Sequence, residues 1–469
     1  MTATTGSDFL GNPVSETDAG ALAAVDEFVG GFIGYETRAG NVVRAARARP
    51  GHGLLNLYAG VLFMLLESPQ GPGLARPFLG LARAADLNER ERRTADFLAA
   101  WLGGDIPAAQ ALGESIAADW PRDLVMVKLC QYLAFTRGDF PRMLRIALAA
   151  LPAVEDEPRI HGMAAFGYEQ CHLLADAERA ARRALEMRRA EPWAQHALAH
   201  VMLTQGRIDE GARFLEDAAE TWDGLNSFMA THNWWHLGLF YLSQGRDDAV
   251  LRAYDSHCWM GDKDYSQDQV GAVSLLARAE LAGIDVGERW DEVAERIAAR
   301  GLDVEQPFLA LQYLYALCRA DRVEAPALLA AIRRQAVSAP EFARAAWADA
   351  ALPAAEGIAA WLAGQPAAAV RELGRALPRL AEIGGSHAQR DLFEQIWLGA
   401  LIADGRWSEA QQALERRRAF DPDGVPLNRL LARAYTALEL PAQAAEARAR
   451  AEATAARQGA LAPATTPSL

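Results

Sequence analysis

Apolar positions along this chain recur with the period of amphipathic α-helices, almost from one end to the other. Segments such as "FLALQYLYAL" (308–317) and "LARAYTALELPAQAAEARARA" (431–451) place apolar residues three and four apart. Strand-like alternation of apolar and polar residues is nearly missing, and proline and glycine interrupt the helical stretches at short intervals. The pattern therefore predicts an all-α chain of successive helices joined by short loops.

A turn motif repeats along the chain with a fixed spacing. It consists of a glycine, a polar residue and an apolar residue, followed by an alanine-rich amphipathic stretch. The motif begins at Gly104, Gly138, Gly206, Gly364 and Gly405. The first two glycines lie 34 residues apart and the next lies 68 further on, with the skipped position at His172. A period of 34 residues is typical of the tetratricopeptide repeat, in which each unit is a helix hairpin.

Such hairpins cannot bury their apolar faces alone, so they stack on their neighbours. We therefore predict an all-α, right-handed α-solenoid of about ten or more tetratricopeptide-like helix hairpins. It is expected to run without a break over residues 21–455, although the repeat is less regular between about 258 and 350. Polar or Pro/Thr-rich sequences at 1–20 and 456–469 predict mobile tails.

Charge and composition narrow the classes of partner. The 47 basic and 61 acidic residues give a net charge of −14, and the most basic stretch, "ALERRRAF" (413–420), reads as a solvated helix face. Since nucleic-acid binders need a basic surface, we expect no nucleic-acid partner. We expect no membrane either, because the longest apolar run, "YAGVLFMLL" (58–66), is too short to span a bilayer.

Other motifs that would mark a compartment or a cofactor are missing from the sequence. The four cysteines are widely spaced without a CxxC pair, which favours reduced thiols, and the N-terminus lacks the pattern of a secretory signal. A soluble cytoplasmic protein is expected. No GxGxxG follows a strand and there is no Walker loop, so no nucleotide cofactor is expected.

Two pairs of histidines have the spacing of one helical turn. "HALAH" contains His196 and His200, and "HNWWH" contains His232 and His236. Each pair lies on one helix face and could bind a divalent metal, but neither contains the glutamate of an HExxH motif. Three interpretations stay open: packing in the core, a metal site formed by these four side chains, or part of a binding groove.

Four segments carry a resemblance to a known family. They are "HGMAAFGYEQC" (161–171), "HALAHV" (196–201), "HNWWHLGLFYL" (232–242) and "GGSHAQRD" (384–391). Together they resemble the tetratricopeptide repeat protein 38 family of bacteria and animals, over about residues 40–450. The resemblance implies a helical-repeat fold but supplies no biochemical activity.

The resemblance to tetratricopeptide repeats also implies which side chains line the concave groove. In these repeats, positions 2, 5, 9 and 12 of each first helix generally face the groove. By that register the groove-facing residues are Lys128, Tyr132, Glu169, His196, His200, His232 and Trp235. His236 falls between the two faces, where it is expected to orient a partner, and Trp234 is expected to pack between helices.

The segment "GGSHAQRD" has the pattern of a helix start. It places His387, Gln389, Arg390 and Asp391 in the first turn, where free N–H groups and the helix dipole favour an anion. Arg390 is expected to add a bidentate contact to a carboxylate. The alternative interpretation is an N-cap with a local salt bridge.

Two functions from different classes follow, and we favour the first. One is a binding module whose pocket of His, Trp and Glu side chains holds a small molecule or peptide with an anionic group. The other is a hydrolase or lyase, which could be metal-assisted, using the same side chains for acid–base chemistry. Its candidate catalytic residues are His161, Glu169, His196, His232 and His387. A scaffold with a plain peptide groove is a third, weaker interpretation.

Overall fold

The computed structural model describes residues 6–15 and 18–461, with side chains described up to residue 458. Within these residues the only strands are β1 (Gly6–Ser7) and β2 (Pro13–Val14), which form one short antiparallel pair. Everything else of regular structure is helical, as the hydrophobic period predicts.

The helices of the first half follow one another with short connections. They are α1 (Ala19–Ile33), α2 (Asn41–Ala48), α3 (Gly53–Met64), α4 (Gly71–Ala84), α5 (Glu89–Leu102), α6 (Ile106–Asp119), α7 (Leu124–Phe135), α8 (Phe140–Ala150), α9 (Pro158–Gln170), α10 (Leu174–Met187), α11 (Pro192–Thr204), α12 (Ile208–Ala218) and α13 (Ser227–Gln244).

The second half continues the same arrangement through the region where the repeat is less regular. Its helices are α14 (Asp247–Ala253), α15 (Ser266–Leu281), α16 (Arg289–Ala298), α17 (Pro307–Arg319), α18 (Ala325–Ser338), α19 (Glu341–Ala345), α20 (Leu352–Leu362), α21 (Pro366–Ala376), α22 (His387–Ala403), α23 (Trp407–Arg417), α24 (Val425–Ala437) and α25 (Pro441–Leu461). Two π-helical turns, Tyr254–Cys258 and Ala346–Ala351, extend α14 and α19.

The repeating turn glycines end the first helix of a hairpin, which confirms the helical-repeat prediction. Gly104, Gly138 and Gly206 have φ values of +75°, +68° and +69°. This left-handed conformation costs little for glycine and closes the last helical turn. At the skipped position His172 takes the same conformation, with φ of +56°. The repeat therefore continues where its glycine is missing, and the chain folds as a tetratricopeptide-like helical solenoid.

The chain ends differ from the tails that the sequence predicts. Residues 6–15 pack on the first helices: Leu10 and Val14 are buried, and Asn12 donates to the carbonyl of Arg122. At the other end α25 continues past residue 456, and Gln458 donates to Asp209. Buried apolar side chains and these distant hydrogen bonds hold both segments. The remaining predicted tail residues, 1–5, 16–17 and 462–469, lie outside the described residues.

The solenoid closes on itself, so that its first helices meet its middle. The amide of Asn226 donates to the carbonyl of Tyr35 at 2.6 Å, and the amide of Thr37 donates to Gly224 at 2.9 Å. Farther along, the hydroxyl of Ser266 donates to the Glu67 carboxylate at 3.0 Å. These contacts turn the inner face of the superhelix into the wall of a cavity.

Among the described residues, no helix combines the length and the apolar character needed to cross a bilayer.

Candidate functional site

The two histidine pairs meet in the interior, between the parallel first helices of adjacent repeats. His196 and His200 come from α11, and His232 and His236 come from α13. Their exposed fractions are 1%, 0%, 8% and 0%. The ring of His236 lies 4.8 Å from that of His196, 4.4 Å from that of His200 and 4.8 Å from that of His232, measured between centroids. We call these four side chains the histidine cluster.

Three ring nitrogens of the histidine cluster converge. Nε2 of His196 lies 3.1 Å from Nε2 of His200 and 3.1 Å from Nε2 of His232. One ligand atom from each of the four histidines lies within 4.8 Å of the others. Both ring nitrogens of His236 are buried without a hydrogen-bond partner, as is Nδ1 of His196.

A carboxylate adjoins the histidine cluster on its deeper side. Glu169, near the end of α9, is fully buried and holds Oε2 3.5 Å from Nδ1 of His200. Gln170 donates to this Oε2 at 2.6 Å, and the other oxygen, Oε1, contacts Nε2 of His387, the first residue of α22. The described structure thus brings Glu169 together with His200, 31 residues later in the sequence, and with His387, 218 residues later.

Burial controls the charge of these groups. Burial lowers the pKa of His232 to about 3, and together with repulsion among the neighbouring imidazoles it holds the pKa of His196 and His236 well below the ordinary value. Burial alone would raise the pKa of Glu169, but His387 and His200 hold it below its usual range. Near neutral pH the histidine cluster is therefore uncharged beside an ionised carboxylate.

A cavity of about 540 Å³ lies against the histidine cluster. His196 and His232 belong to its wall, and the other walls come from α1, α3, α7, α9 and the starts of α17 and α22. Its volume is typical of sites for small organic ligands. Ten aromatic side chains belong to the lining: Phe32, Tyr35, Phe63, Tyr132, Phe135, Phe166, Trp193, Phe228, Tyr265 and Phe308.

Lys128 places its amino group within this aromatic wall. Its amino nitrogen lies 3.0 Å from the ring centroid of Tyr35 and 4.7 Å from that of Phe32, and it donates to the carbonyl of Phe32. Burial lowers the pKa of Lys128 well below its ordinary value, although the charge of Glu191 opposes this shift. Among the described residues, no carboxylate forms an ion pair with it.

Another part of the cavity wall is polar. Burial raises the pKa of the Glu67 carboxyl, while hydrogen bonds from Gln267, Tyr132 and neighbouring groups oppose the shift. The amide of Gln306 donates to the Tyr132 hydroxyl at 2.9 Å and lies 3.4 Å from Glu67. This polar patch of the cavity wall consists of Glu67, Tyr132, Gln267 and Gln306.

Trp235 lies elsewhere than the sequence predicts. It is 1% exposed and does not line the cavity; its Nε1 donates to Ser274 at 3.2 Å, and its ring stacks on His232 from behind. Trp234 packs outward against His257, with ring centroids 3.5 Å apart. The rings of neighbouring residues diverge by about 100° on a helix, and tertiary packing buries Trp235 in the core.

His161, Arg390 and Asp391 also lie apart from the cavity lining. Nε2 of His161 contacts the carbonyl of Glu155 at 2.9 Å, one turn before its helix. Arg390 donates to the carbonyl of Gly385, so it offers no bidentate clamp, and Asp391 pairs with Arg417. Only Gln389 of this segment's predicted binding residues lines the cavity, where it also completes a capping box with Ser386.

Several cavity residues were not predicted from the sequence. Glu67, Tyr35 and Gln306 lie outside the recognisable repeats, and their positions follow from the closure of the superhelix. Arg278 was also missed; it is buried, donates to the carbonyl of Ala388 at 2.7 Å and fixes the start of α22. Lys128 and Tyr132, by contrast, line the cavity and were predicted to face the groove by the repeat register.

Fold and site together define a tetratricopeptide-like helical-repeat protein with an internal cavity. No family model matches the chain. Human IFIT1, solved as a dimer with PPP-AAAA, is a similar structure with a TM-score of 0.42 and 12% identity, over 93% of this chain and 100% of that one. Yeast Tom70 gives 0.29 and 12% over 79% and 96%, and the P58(IPK) TPR domain gives 0.23 and 11% over 78% and 93%. At these identities the likeness concerns the fold alone.

The prediction that the chain has no nucleic-acid partner rested on its net charge, and it is wrong. Human IFIT1 is solved with PPP-AAAA and also with m7Gppp-AAAA. Net charge is a sum over the molecule and does not report the local charge of a cavity. The value of −14 is therefore insufficient to exclude nucleic acid.

Proposed function

We propose that this chain is a binding protein that holds a small, largely apolar ligand with an anionic group in the cavity beside the histidine cluster. The observation that carries the proposal is Lys128, a buried amino group within an aromatic wall, which a neighbouring anion would hold in its protonated form. Aromatic rings offer stacking area and attract the cation, but they do not neutralise its charge. An anion of the ligand supplies that missing charge.

The position of Lys128 also explains why binding should be selective. Burial removes water from the ammonium, which is unfavourable unless an opposite charge replaces the water. A carboxylate, sulfonate or phosphate beside Lys128 forms a charge-assisted hydrogen bond in a medium of low dielectric constant. The patch of Glu67, Gln267 and Gln306 suits a hydroxyl or amine elsewhere on the ligand.

The segments that resemble the tetratricopeptide repeat protein 38 family support a shared site. Glu169, His200, His232 and His387 come from those four separate segments and belong to one contiguous group of side chains. We propose membership in that family on this basis. We also propose the cytoplasmic location that the sequence predicts. The four cysteines, which are all unpaired thiols, are consistent with it.

A matched pair of fluorescent probes tests the role of Lys128. 8-Anilinonaphthalene-1-sulfonate and N-phenyl-1-naphthylamine share one aromatic skeleton, but only the first carries an anion. We expect the wild type to bind the sulfonate more tightly, and Lys128→Gln to weaken sulfonate binding roughly 10- to 100-fold, as for loss of a charged hydrogen bond. Affinity for the neutral probe should change little.

Lys263→Gln is the control, because Lys263 lies outside the cavity lining and pairs with Glu292. It should bind both probes as the wild type does, and circular dichroism should show equal helix content in all three proteins. Equal affinity of Lys128→Gln and wild type for the sulfonate would contradict the proposal. So would a wild type that binds neither probe.

A hydrolase or lyase is the second candidate, favoured by the contact between Glu169 and His387. A carboxylate that orients an imidazole is the usual arrangement of a general base. Glu169, His196, His232 and His387 stay its candidate catalytic residues, while His161 lies apart from them. Activity lost in His387→Gln with probe binding intact would favour this candidate over a binding module.

A further inference from the structure

We infer that the histidine cluster is a binding site for one divalent transition-metal ion, held by His196, His200, His232 and His236. The inference does not depend on which ligand the cavity holds. It rests on the convergence of the ring nitrogens and on the buried nitrogens that lack a partner. Both observations concern geometry that the described residues show directly.

The distances between the ring nitrogens are compatible with a tetrahedral metal site. Zinc–imidazole bonds of about 2.0–2.1 Å separate neighbouring nitrogens of a tetrahedron by about 3.3 Å. The two Nε2···Nε2 distances from His196 are each 3.1 Å. One ligand atom from each of the four rings lies within 4.8 Å of the other three.

Counting protons leads to the same conclusion. A ring nitrogen carries either one in-plane proton or one in-plane lone pair, so Nε2 of His196 cannot form good hydrogen bonds with both His200 and His232. His236 adds two further buried nitrogens without partners. Buried polar atoms are normally paired, and a cation that accepts one lone pair from each ring would engage one nitrogen of His236 together with the three crowded Nε2 atoms.

The surroundings of the histidine cluster also suit a cation. Metal-bound histidines usually donate their second nitrogen to a carboxylate, which fixes the ring and partly balances the metal's charge. Glu169 lies in that position, 3.5 Å from Nδ1 of His200 and free of solvent. Since the ligands are imidazoles without thiolates, the expected ions are Zn²⁺, Co²⁺, Ni²⁺ or Cu²⁺ rather than Mg²⁺ or Ca²⁺.

His196 and His232 line the cavity as well as belonging to the cluster, so the ion would lie at the cavity wall. It would therefore be reachable by a carboxylate or a water molecule entering the cavity. A cation there would add to the attraction of Lys128 for an anionic ligand.

The test uses the full-length chain without a histidine tag, stripped with a chelator and titrated with Zn²⁺ and with Co²⁺. We expect one ion per chain, visible absorption of Co²⁺ more intense than that of the hydrated ion, and a higher melting temperature with Zn²⁺. His196→Gln and His236→Gln should bind Zn²⁺ at least 100-fold more weakly. Glu169→Gln should bind it roughly 10- to 100-fold more weakly, as for loss of an outer carboxylate.

His161→Gln is the matched control, since its side chain contacts the Glu155 carbonyl outside the cluster. It should bind Zn²⁺ like the wild type. A wild type that binds neither ion at micromolar concentration would overturn the inference. So would a folded His236→Gln variant with wild-type affinity. If the variants fail to fold, X-ray absorption of the zinc-loaded wild type decides, since a first shell without several imidazole nitrogens would exclude this site.

Discussion

Glu191 shows how burial gives one residue an effect on the stability of the whole chain. It precedes α11, is 1% exposed and accepts a hydrogen bond from the amide of Ala194 with one oxygen only. Its other oxygen is buried without a partner. Burial raises the pKa of Glu191 to about 7, although Ala194, Arg159, Lys128 and Arg188 oppose the shift.

The raised pKa of Glu191 makes the free energy of unfolding fall as the pH rises. Between about pH 4.5 and pH 7 the unfolded chain has already released this proton while the folded chain retains it, so the stability present at low pH is lost. We expect Glu191→Gln to remove this loss. Urea unfolding at pH 5 and pH 8 should show the variant gaining up to about 3 kcal/mol relative to wild type at the higher pH. A difference between the two proteins that is the same at both pH values would contradict this.

Residues of the same type within "HNWWH" also have different structural roles. His232 faces the cavity, His236 is enclosed with two unpartnered nitrogens, and Trp235 lies in the core while Trp234 stacks on His257. The helical period predicts that these side chains diverge. Which of them meets the cavity depends on how far α13 is rotated against its neighbours, and the period does not contain that angle.

At the scale of elements, some turns between helices also contact distant parts of the chain. Gly138 and Gly104 end equivalent helices with nearly the same φ, but their surroundings differ. A Cβ on Gly138 would lie 1.9 Å from the carbonyl oxygen of Ala381, whereas one on Gly104 would meet nothing within 4 Å. The loop at Gly138 therefore doubles as a contact between distant turns of the superhelix.

These two glycines form a matched pair for mutation. Gly104→Ala should cost about 1 kcal/mol, the strain of a left-handed alanine. Gly138→Ala should cost that amount and roughly 1–3 kcal/mol more, because the backbone of Ala381 must move. Chemical denaturation of both variants measures the difference. Equal destabilisation would show that the contact with Ala381 contributes nothing.

The start of α22 is the element that both sequence and structure mark as a junction. "GGSHAQRD" predicts an N-cap, and Ser386 and Gln389 form a capping box as that pattern requires. The cap also leaves His387 directed at Glu169, and Arg278 holds the first carbonyls of this helix. A local motif thus fixes the helix start, and long-range contacts give it a place in the site.

At the scale of the whole molecule, closure distinguishes this solenoid from an open repeat array. Open arrays are stabilised by nearest-neighbour contacts and can unfold from one end. Here Glu67 accepts hydrogen bonds from Ser266 and Gln267, about 200 residues away, and these join the end of α3 to the start of α15. We expect these two helices to open together.

Hydrogen exchange followed by mass spectrometry tests the closure. Glu67→Ala should lower the opening free energy of α3 and α15 by similar amounts, roughly 1–3 kcal/mol, because buried donors lose their acceptor. Glu446→Ala, at an exposed position of α25, is the control and should change neither helix. If Glu67→Ala affected α3 alone, the two helices would not be coupled through this contact.

The sequence by itself determined the fold class and the repeat. The hydrophobic period, the 34-residue spacing and the turn residues are features of the linear sequence, so they can be recognised without the structure. Of the residues that the register predicted to face the groove, His196 and His232 line the cavity, whereas His200 and Glu169 are buried without lining it. The register failed at Trp235, which packing buries in the core. The helix-start pattern failed at Arg390, which bonds the Gly385 carbonyl, and at Asp391, which pairs with Arg417.

Only the tertiary structure decided what these side chains meet. The 3.1 Å separations of the ring nitrogens, the contact of Glu169 with His387 and the cavity between the first helices and α17 all depend on the curvature of the superhelix. Curvature accumulates from small rotations at every stacked hairpin, set by the volumes of many side chains at once. No local pattern of residues encodes that sum, which is why the repeat could be predicted from the sequence and its closure around the site could not.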